Sequence, residues 1–229
     1  MAPKAVRRTV AGRSRTRAKA AGPVPAGRLE SILARQGYRL VAGVDEVGRG
    51  ALAGPLVAAS VLLDVDRIPK GVCDSKMLTA LQRERCAAEV LSAAVAVSWT
   101  VVDAEDIDGD GLHVSNLAAM VRAVRALRPA PDYVISDGFA LDDQGFPHIG
   151  LPRADALSAA VAGASVVAKV SRDSFMRVLD TQYPGYGFSR HKGYGTAEHW
   201  TAIRALGPSA VHRRSFKGVA SYQPSFEDL

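Results

Sequence analysis

An α/β domain with a mixed sheet is the fold class this sequence predicts, and three features predict it. Two apolar runs of strand length, Tyr38–Asp45 and Leu56–Leu63, flank a glycine-rich turn of about ten residues, which suits an antiparallel hairpin. Stretches of helical and strand periodicity then alternate to the end of the chain. Finally, 48% hydrophobic and 23% charged residues in a chain of 229 is the composition of a globular domain with a real core, not of a fibrous or disordered chain.

The later elements follow in order. Leu78–Ser92 predicts a helix with Leu81, Ala88 and Leu91 inward and Arg83, Arg85 and Glu89 outward. Ala93–Val102 alternates as a strand. Asp106, Asp108, Asp110 and Gly111 begin like a calcium-binding EF-hand loop, but the twelfth position is Leu117 where that loop needs Glu, so an acidic surface turn is expected. His113–Arg128 reads as an amphipathic helix stopped by Pro129. Tyr133–Ser136 is a short strand ending at Asp137, Asp155–Leu179 a long helix, and Ala197–Leu206 a last helix stopped by Gly207 and Pro208.

The net charge of +6 is unevenly placed. Eight basic residues and no acid lie between Met1 and Arg28, and without them the chain carries slightly more acid than base. Residues 1–28 therefore read as a disordered basic tail and 29–229 as the folded domain. Such a tail either holds polyanions through phosphate contacts or is a solvated extension. From Lys169 to Lys217 bases again outnumber acids, which suggests a face for nucleic acid or phosphate. Two cysteines, Cys73 and Cys86, exclude a disulfide scaffold and a four-thiolate zinc site, and suit reduced thiols in the cytoplasm. The start lacks the apolar segment of a secretory signal, although its Arg-rich, acid-free composition is also that of a transit peptide. No apolar run approaches the roughly 20 residues of a membrane span, so no membrane partner is expected.

The densest local pattern is GVDEVGRGALAGP, Gly43 to Pro55. Gly48 to Ala53 fits a dinucleotide fingerprint, but that motif must open a helix, and here Pro55 and a strand-type run follow. The pattern reads either as an acidic turn or as a carboxylate pair ahead of a glycine loop whose backbone approaches a ligand. Neighbours in a strand point to opposite faces, so for Asp45 and Glu46 to serve one site the strand must end or bulge near Asp45. Asp137 sits just past a buried strand, a place for a catalytic acid or for a simple turn residue. Ser165, Lys169 and Asp173 recur every four residues and form one stripe on an otherwise apolar helix, as the lining of a cleft would. Asp74-Ser75-Lys76 either caps the next helix or holds a phosphate through Ser75 and Lys76. Tyr183–Tyr194 interleaves aromatics, glycines and bases, which suits a nucleic-acid backbone or a packed loop.

Asp45, Glu46, Asp137 and Asp173 are thus four carboxylates on separate elements. Their hard oxygens suit Mg²⁺ or Mn²⁺, and two such ions about 4 Å apart could clamp a phosphodiester under hydrolysis. Metal-free acid–base carboxylates, as in glycosidases, are the rival chemistry.

GVDEVGRGALAGP, DSK at Asp74–Lys76, SDG at Ser136–Gly138, ALSAAVAGASVVAKVSRD, YGFSRHKGYGT and HRRSF together closely resemble the bacterial ribonuclease HII family, in order from about Val41 to Phe216. The resemblance implies a ribonuclease H-like fold, a central mixed β-sheet flanked by helices with a C-terminal helical extension. It implies an endonuclease for RNA in RNA–DNA hybrids and for single ribonucleotides in duplex DNA. Cleavage would fall 5′ to the ribonucleotide and leave 3′-hydroxyl and 5′-phosphate ends. By the same resemblance Asp45, Glu46, Asp137 and Asp173 bind the metals. Gly48, Arg49 and Gly50 sense the 2′-hydroxyl, and Tyr194 packs on the sugar of the next deoxynucleotide. A cytoplasmic monomer is expected. Phe139 stands where many relatives carry Asn. Other classes that fit the charge are a non-catalytic nucleic-acid-binding module and a metal nuclease for DNA junctions.

Overall fold

The structure, a computed structural model, describes residues 27–68, 78–141, 145–219 and 221–222. Most of the expected basic tail, the Ser75–Lys76 pair and Cys73 lie outside them. The five-stranded sheet comprises β1 (Leu40–Val47), β2 (Leu56–Asp64), β3 (Ala96–Val102), β4 (Tyr133–Asp137) and β5 (His148–Leu151), in the order β3-β2-β1-β4-β5. The expected hairpin is present: β1 and β2 pair antiparallel from Leu40↔Asp64 to Val47↔Val57. β3 extends it antiparallel, whereas β4 runs parallel to β1, and β5 parallel to β4. The sheet is therefore mixed.

The helices are α1 (Arg28–Arg35), α2 (Ala80–Ala93), α3 (Ala104–Asp110), α4 (Leu112–Ala126), α5 (Ala159–Gln182), α6 (Phe188–His191) and α7 (Ala197–Leu206). Alternation of side chains along the strands divides the core. Ala42, Val44, Leu56, Ala58 and Leu62 pack against Ala119, Met120, Ala123 and Val124 of α4. On the opposite face Ala59, Val61 and Leu63 meet α2 and α5. None of the described helices is long and apolar enough to cross a membrane.

Two expectations are corrected. Leu81, Ala88 and Leu91 of α2 are exposed, and the helix instead buries Cys86, Ala87 and Val90. The reason is close packing: Val90 lies 3.2 Å from where a Cβ on Gly163 of α5 would stand, so small residues, not leucines, fit this interface. The acidic stretch after β3 is a helix, α3, rather than a turn. Its Glu105 and Asp106 occupy the first turn, where the helix dipole favours negative charge, and Ile107 anchors it in the core. β5 and α6 are additional elements.

The position of α5 matters most for the site. A Cβ on Gly43 would fall 2.1 Å from the α5 backbone at Ala160 and Val161, so glycine lets the start of the helix lie directly on β1. Ser158 caps α5 by accepting the Val161 N–H at 3.1 Å. Glu30 of α1, fully buried, completes the anchor: one carboxylate oxygen accepts the Ser158 hydroxyl at 2.6 Å and the Ala160 N–H at 3.0 Å. Substituting Glu30→Ala should orphan both donors and lower stability by about 1–3 kcal/mol in urea unfolding. A change within experimental error would show that α5 is held by sheet packing alone.

Candidate active site

The parallel ladder between β1 and β4 ends at Val44↔Ser136. Beyond it both chains run on without pairing to each other, β1 through Asp45 and Glu46, β4 through Asp137. This is the carboxyl end of two adjacent parallel strands, where open α/β sheets place their sites. β1 does not end or bulge at Asp45, contrary to expectation; it remains in regular register with β2 through Val47. Adjacent carboxylates share one cleft because β4 stops covering that edge of β1, so side chains from both faces reach the gap.

That cleft, of about 370 Å³, is lined by Asp45, Glu46, Gly48, Arg49, Gly50, Asp137, Ser165, Lys169 and Tyr194, together with Arg83. Three of the four expected carboxylates thus converge. Asp45 is buried, and burial with the neighbouring charge of Glu46 pushes its carboxyl up to about 7, against a smaller lowering by a Ser165 hydrogen bond. Glu46 is likewise pushed up to about 7 by burial and by Asp137, with Arg49 opposing. Asp137 is oriented by the Ala154 N–H, which donates to it at 2.7 Å.

Asp173 does not line the cleft. It lies one helical turn beyond Lys169, whose ammonium reaches it at 2.6 Å, and 3.9 Å from the Arg83 guanidinium. Both cations line the cleft, so Asp173 adjoins it through them. Among the described residues no three His, Cys, Asp or Glu side chains form a ready-made metal cage. The donor set still fits a hard divalent cation, which takes few carboxylates and keeps water, and whose charge would relieve the repulsion among Asp45, Glu46 and Asp137.

The glycine loop after β1 is shaped from below by two arginines. Arg172 and Arg213 are both fully buried. Arg172 donates to the carbonyls of Pro55 (2.8 Å) and Ala53 (3.2 Å). Arg213 donates to Gly54 (2.9 Å) and Arg49 (2.9 Å). Burial and the nearby Arg172 charge lower Arg213 to about 9. Gly48 has φ +87°, and a Cβ there would stand 2.0 Å from the Arg172 side chain, so this position requires glycine. Gly50 has open space on its Cβ side. The Arg49 guanidinium lies 5.0 Å from the centroid of the Phe139 ring, giving the residue after Ser136-Asp137-Gly138 a contact of its own. Sequence reasoning missed Arg83, Arg172 and Arg213. Arg83 reads in the sequence only as one of the outward residues of α2, and nothing in the local pattern sets it apart from Arg85; the buried arginines carried no periodic mark.

A mixed sheet with its cleft at the ends of β1 and β4 defines a ribonuclease H-like α/β protein, and comparison with known proteins refines that class. A family model for ribonuclease HII matches residues 42–219. The chain is 51% identical over 195 residues to ribonuclease HII of Salinispora arenicola, covering 84% of this chain and 72% of that protein. It is 46% identical over 192 residues to ribonuclease HII of Cutibacterium acnes, covering 83% and 94%. Among solved structures it is similar to ribonuclease H2 from Pyrococcus horikoshii, with TM-score 0.69 and 26% identity over 79% of this chain and 95% of that one. The ribonuclease HII of a PCNA complex from Archaeoglobus fulgidus gives TM-score 0.69 and 27% identity, over 82% and 100%. The chain belongs to the ribonuclease HII family, and is accordingly an endoribonuclease.

The carboxyl crowding has a measurable consequence. A carboxyl that titrates at about 7 when folded and about 4 when unfolded gives the folded chain the extra proton between those values, so its contribution to stability falls as pH rises through that window. In cation-free buffer, Asp45→Asn should therefore be more stable than the parent at pH 8, by about 1–3 kcal/mol, with the gain shrinking toward pH 5. A variant less stable than the parent at pH 8 would show that Asp45 is not strained.

Proposed function

We propose that this chain is a divalent-cation-dependent endonuclease that hydrolyses RNA in RNA–DNA hybrids and nicks duplex DNA 5′ to a single embedded ribonucleotide, leaving 3′-hydroxyl and 5′-phosphate ends. The observation that carries this reading is the convergence of Asp45, Glu46 and Asp137 in one cleft with the Gly48–Gly50 backbone at the end of β1 and β4. Family membership supports it.

Asp45, Glu46 and Asp137 would hold Mg²⁺ or Mn²⁺, with Asp173 as a further ligand if freed from Lys169 and Arg83. Two such ions, when bound, supply concentrated positive charge against the attacking and leaving oxygens of the phosphodiester. The chain's own residues do the rest. Ser165 donates to Asp45 and orients it. Arg49 balances Glu46. Lys169 and Arg83 present cations to the substrate backbone from the wall of the cleft. The Gly48–Gly50 backbone offers amide groups to a 2′-hydroxyl without side-chain bulk, and the 2′-hydroxyl is what distinguishes RNA from DNA. Tyr194 offers a ring face to the neighbouring sugar. We assign Ser75 and Lys76 to the substrate strand on sequence alone. The chain acts as a monomer in the cytoplasm in this reading.

The test is a nicking assay on duplexes that are identical except for one ribonucleotide. With Mg²⁺ or Mn²⁺ the ribonucleotide duplex should be cut and the all-DNA duplex left intact, and chelator should abolish cutting. Asp45→Asn and Asp137→Asn should each reduce the rate by about 10²–10³-fold or more while duplex binding persists. Equal cutting of the all-DNA control, or near-full activity of either variant, would contradict the assignment.

A further inference from the structure

Behind Tyr194 lie three buried histidines, His191, His199 and His212, that the site as described does not use. Their hydrogen bonds determine where each proton sits. The Ser209 N–H, which can only donate, lies 2.9 Å from His212 Nδ1, so that nitrogen accepts and the His212 proton is on Nε2. His212 Nε2 is 3.0 Å from His199 Nε2, which must then accept. The His199 proton is therefore on Nδ1, 3.1 Å from the Tyr194 carbonyl, which can only accept. His191 is fixed in the same way: the Gly193 N–H donates to its Nδ1 at 3.2 Å, leaving Nε2–H to donate to the Tyr186 carbonyl at 2.8 Å. The His191 and His199 rings stack with centroids 4.3 Å apart. All three imidazoles are neutral and each proton has a defined position. In keeping with this, burial pushes both His199 and His212 down to about 4. Every ring nitrogen of the trio is already committed, which leaves none to ligate a metal, and His199 and His212 form a hydrogen-bonded wire on which His191 stacks.

The wire joins the two parts of the cleft that would read a nucleotide. At one end His199 holds the Tyr194 carbonyl. At the other the His212 backbone pairs with Ala53, and the next residue, Arg213, grips the carbonyls of Arg49 and Gly54. The circuit closes through Gly193, whose carbonyl accepts the Leu52 N–H at 2.8 Å and the Ala53 N–H at 3.3 Å. A Cβ on Gly193 would stand 2.2 Å from the Ala53 carbonyl oxygen, so the two backbones touch. A closed ring of hydrogen bonds thus runs from the glycine loop through His212 and His199 to Tyr194 and back.

We infer that His199 is a positioning residue that, by holding the Tyr194 carbonyl, sets the spacing between the Tyr194 ring and the Gly48–Gly50 backbone, and so the fit of the sugar at a ribonucleotide; His212 fixes the tautomer in which His199 does this. This inference rests on the proposed function. Neither ring lines the carboxylate cleft, so the expected effect is on substrate fit rather than on the hydrolytic step.

Two variants at one position separate positioning from mere packing. In His199→Asn the side-chain amide can still donate to the Tyr194 carbonyl but no longer reaches His212. In His199→Gln the side-chain oxygen can accept from His212 Nε2 but the bond to Tyr194 is lost. On the embedded-ribonucleotide duplex, His199→Gln should raise KM about tenfold with kcat within about twofold of the parent, while His199→Asn stays within about threefold of the parent KM. Equal effects of the two variants on KM, or a loss confined to kcat, would overturn the inference. An NMR experiment on the unmodified protein remains decisive where a variant fails to fold. Long-range ¹H–¹⁵N spectra at pH 7 should show His199 protonated on Nδ1 only and His212 on Nε2 only. Any other tautomer at His199 also overturns the inference. If the parent protein does not nick the duplex, it is the functional reading that fails, and the NMR result still decides whether the wire exists.

Discussion

Like charge crowded at the end of two parallel strands governs this molecule. β1 and β4 separate after Val44 and Ser136, and the next residues on the two strands are acids. Covering that gap with apolar side chains would have given a more stable sheet, since crowding like charges away from water is unfavourable. Instead the fold gathers Asp45, Glu46 and Asp137 there and lets their repulsion and burial lift two of them toward neutrality. Strain of this kind is tolerated where a ligand of opposite charge relieves it.

The surrounding architecture keeps the crowded acids in place. Gly43 admits α5 against β1, which brings Ser165 and Lys169 to the cleft, and Glu30 fastens the start of that helix. The C-terminal part from α6 onward contributes less to the sheet than to the loop after β1. Arg213, joined by Arg172 of α5, bonds to the loop carbonyls, and the histidines tie that loop to Tyr194. Arginine is suited to this use, because its weakly hydrated guanidinium spreads donors over several carbonyls in one plane.

The hairpin and α7 were legible because periodicity and flanking turn residues agree there. Asp45, Glu46 and Asp137 were legible as candidates because strand ends can be read locally. How two adjacent acids share a cleft was not, since that depends on where a distant strand, β4, stops pairing. The inward face of α2 was misread because leucines outweigh Cys86, Ala87 and Val90 on any hydropathy scale, while the interface with Gly163 admits only small side chains. β5 escaped notice because its four residues, His148–Leu151, are half-covered and lack alternation. Arg172 and Arg213 were invisible for the opposite reason: arginine is read as surface, and only the tertiary arrangement of carbonyls above it makes burial tolerable.

Carboxyl-detected NMR titration of the cation-free protein probes the crowding itself. The account predicts that Asp45 and Glu46 titrate near about 7, and that adding Mg²⁺ at pH 6 strips the protons from both. Midpoints in the ordinary carboxylate range of about 4, unmoved by Mg²⁺, would contradict it.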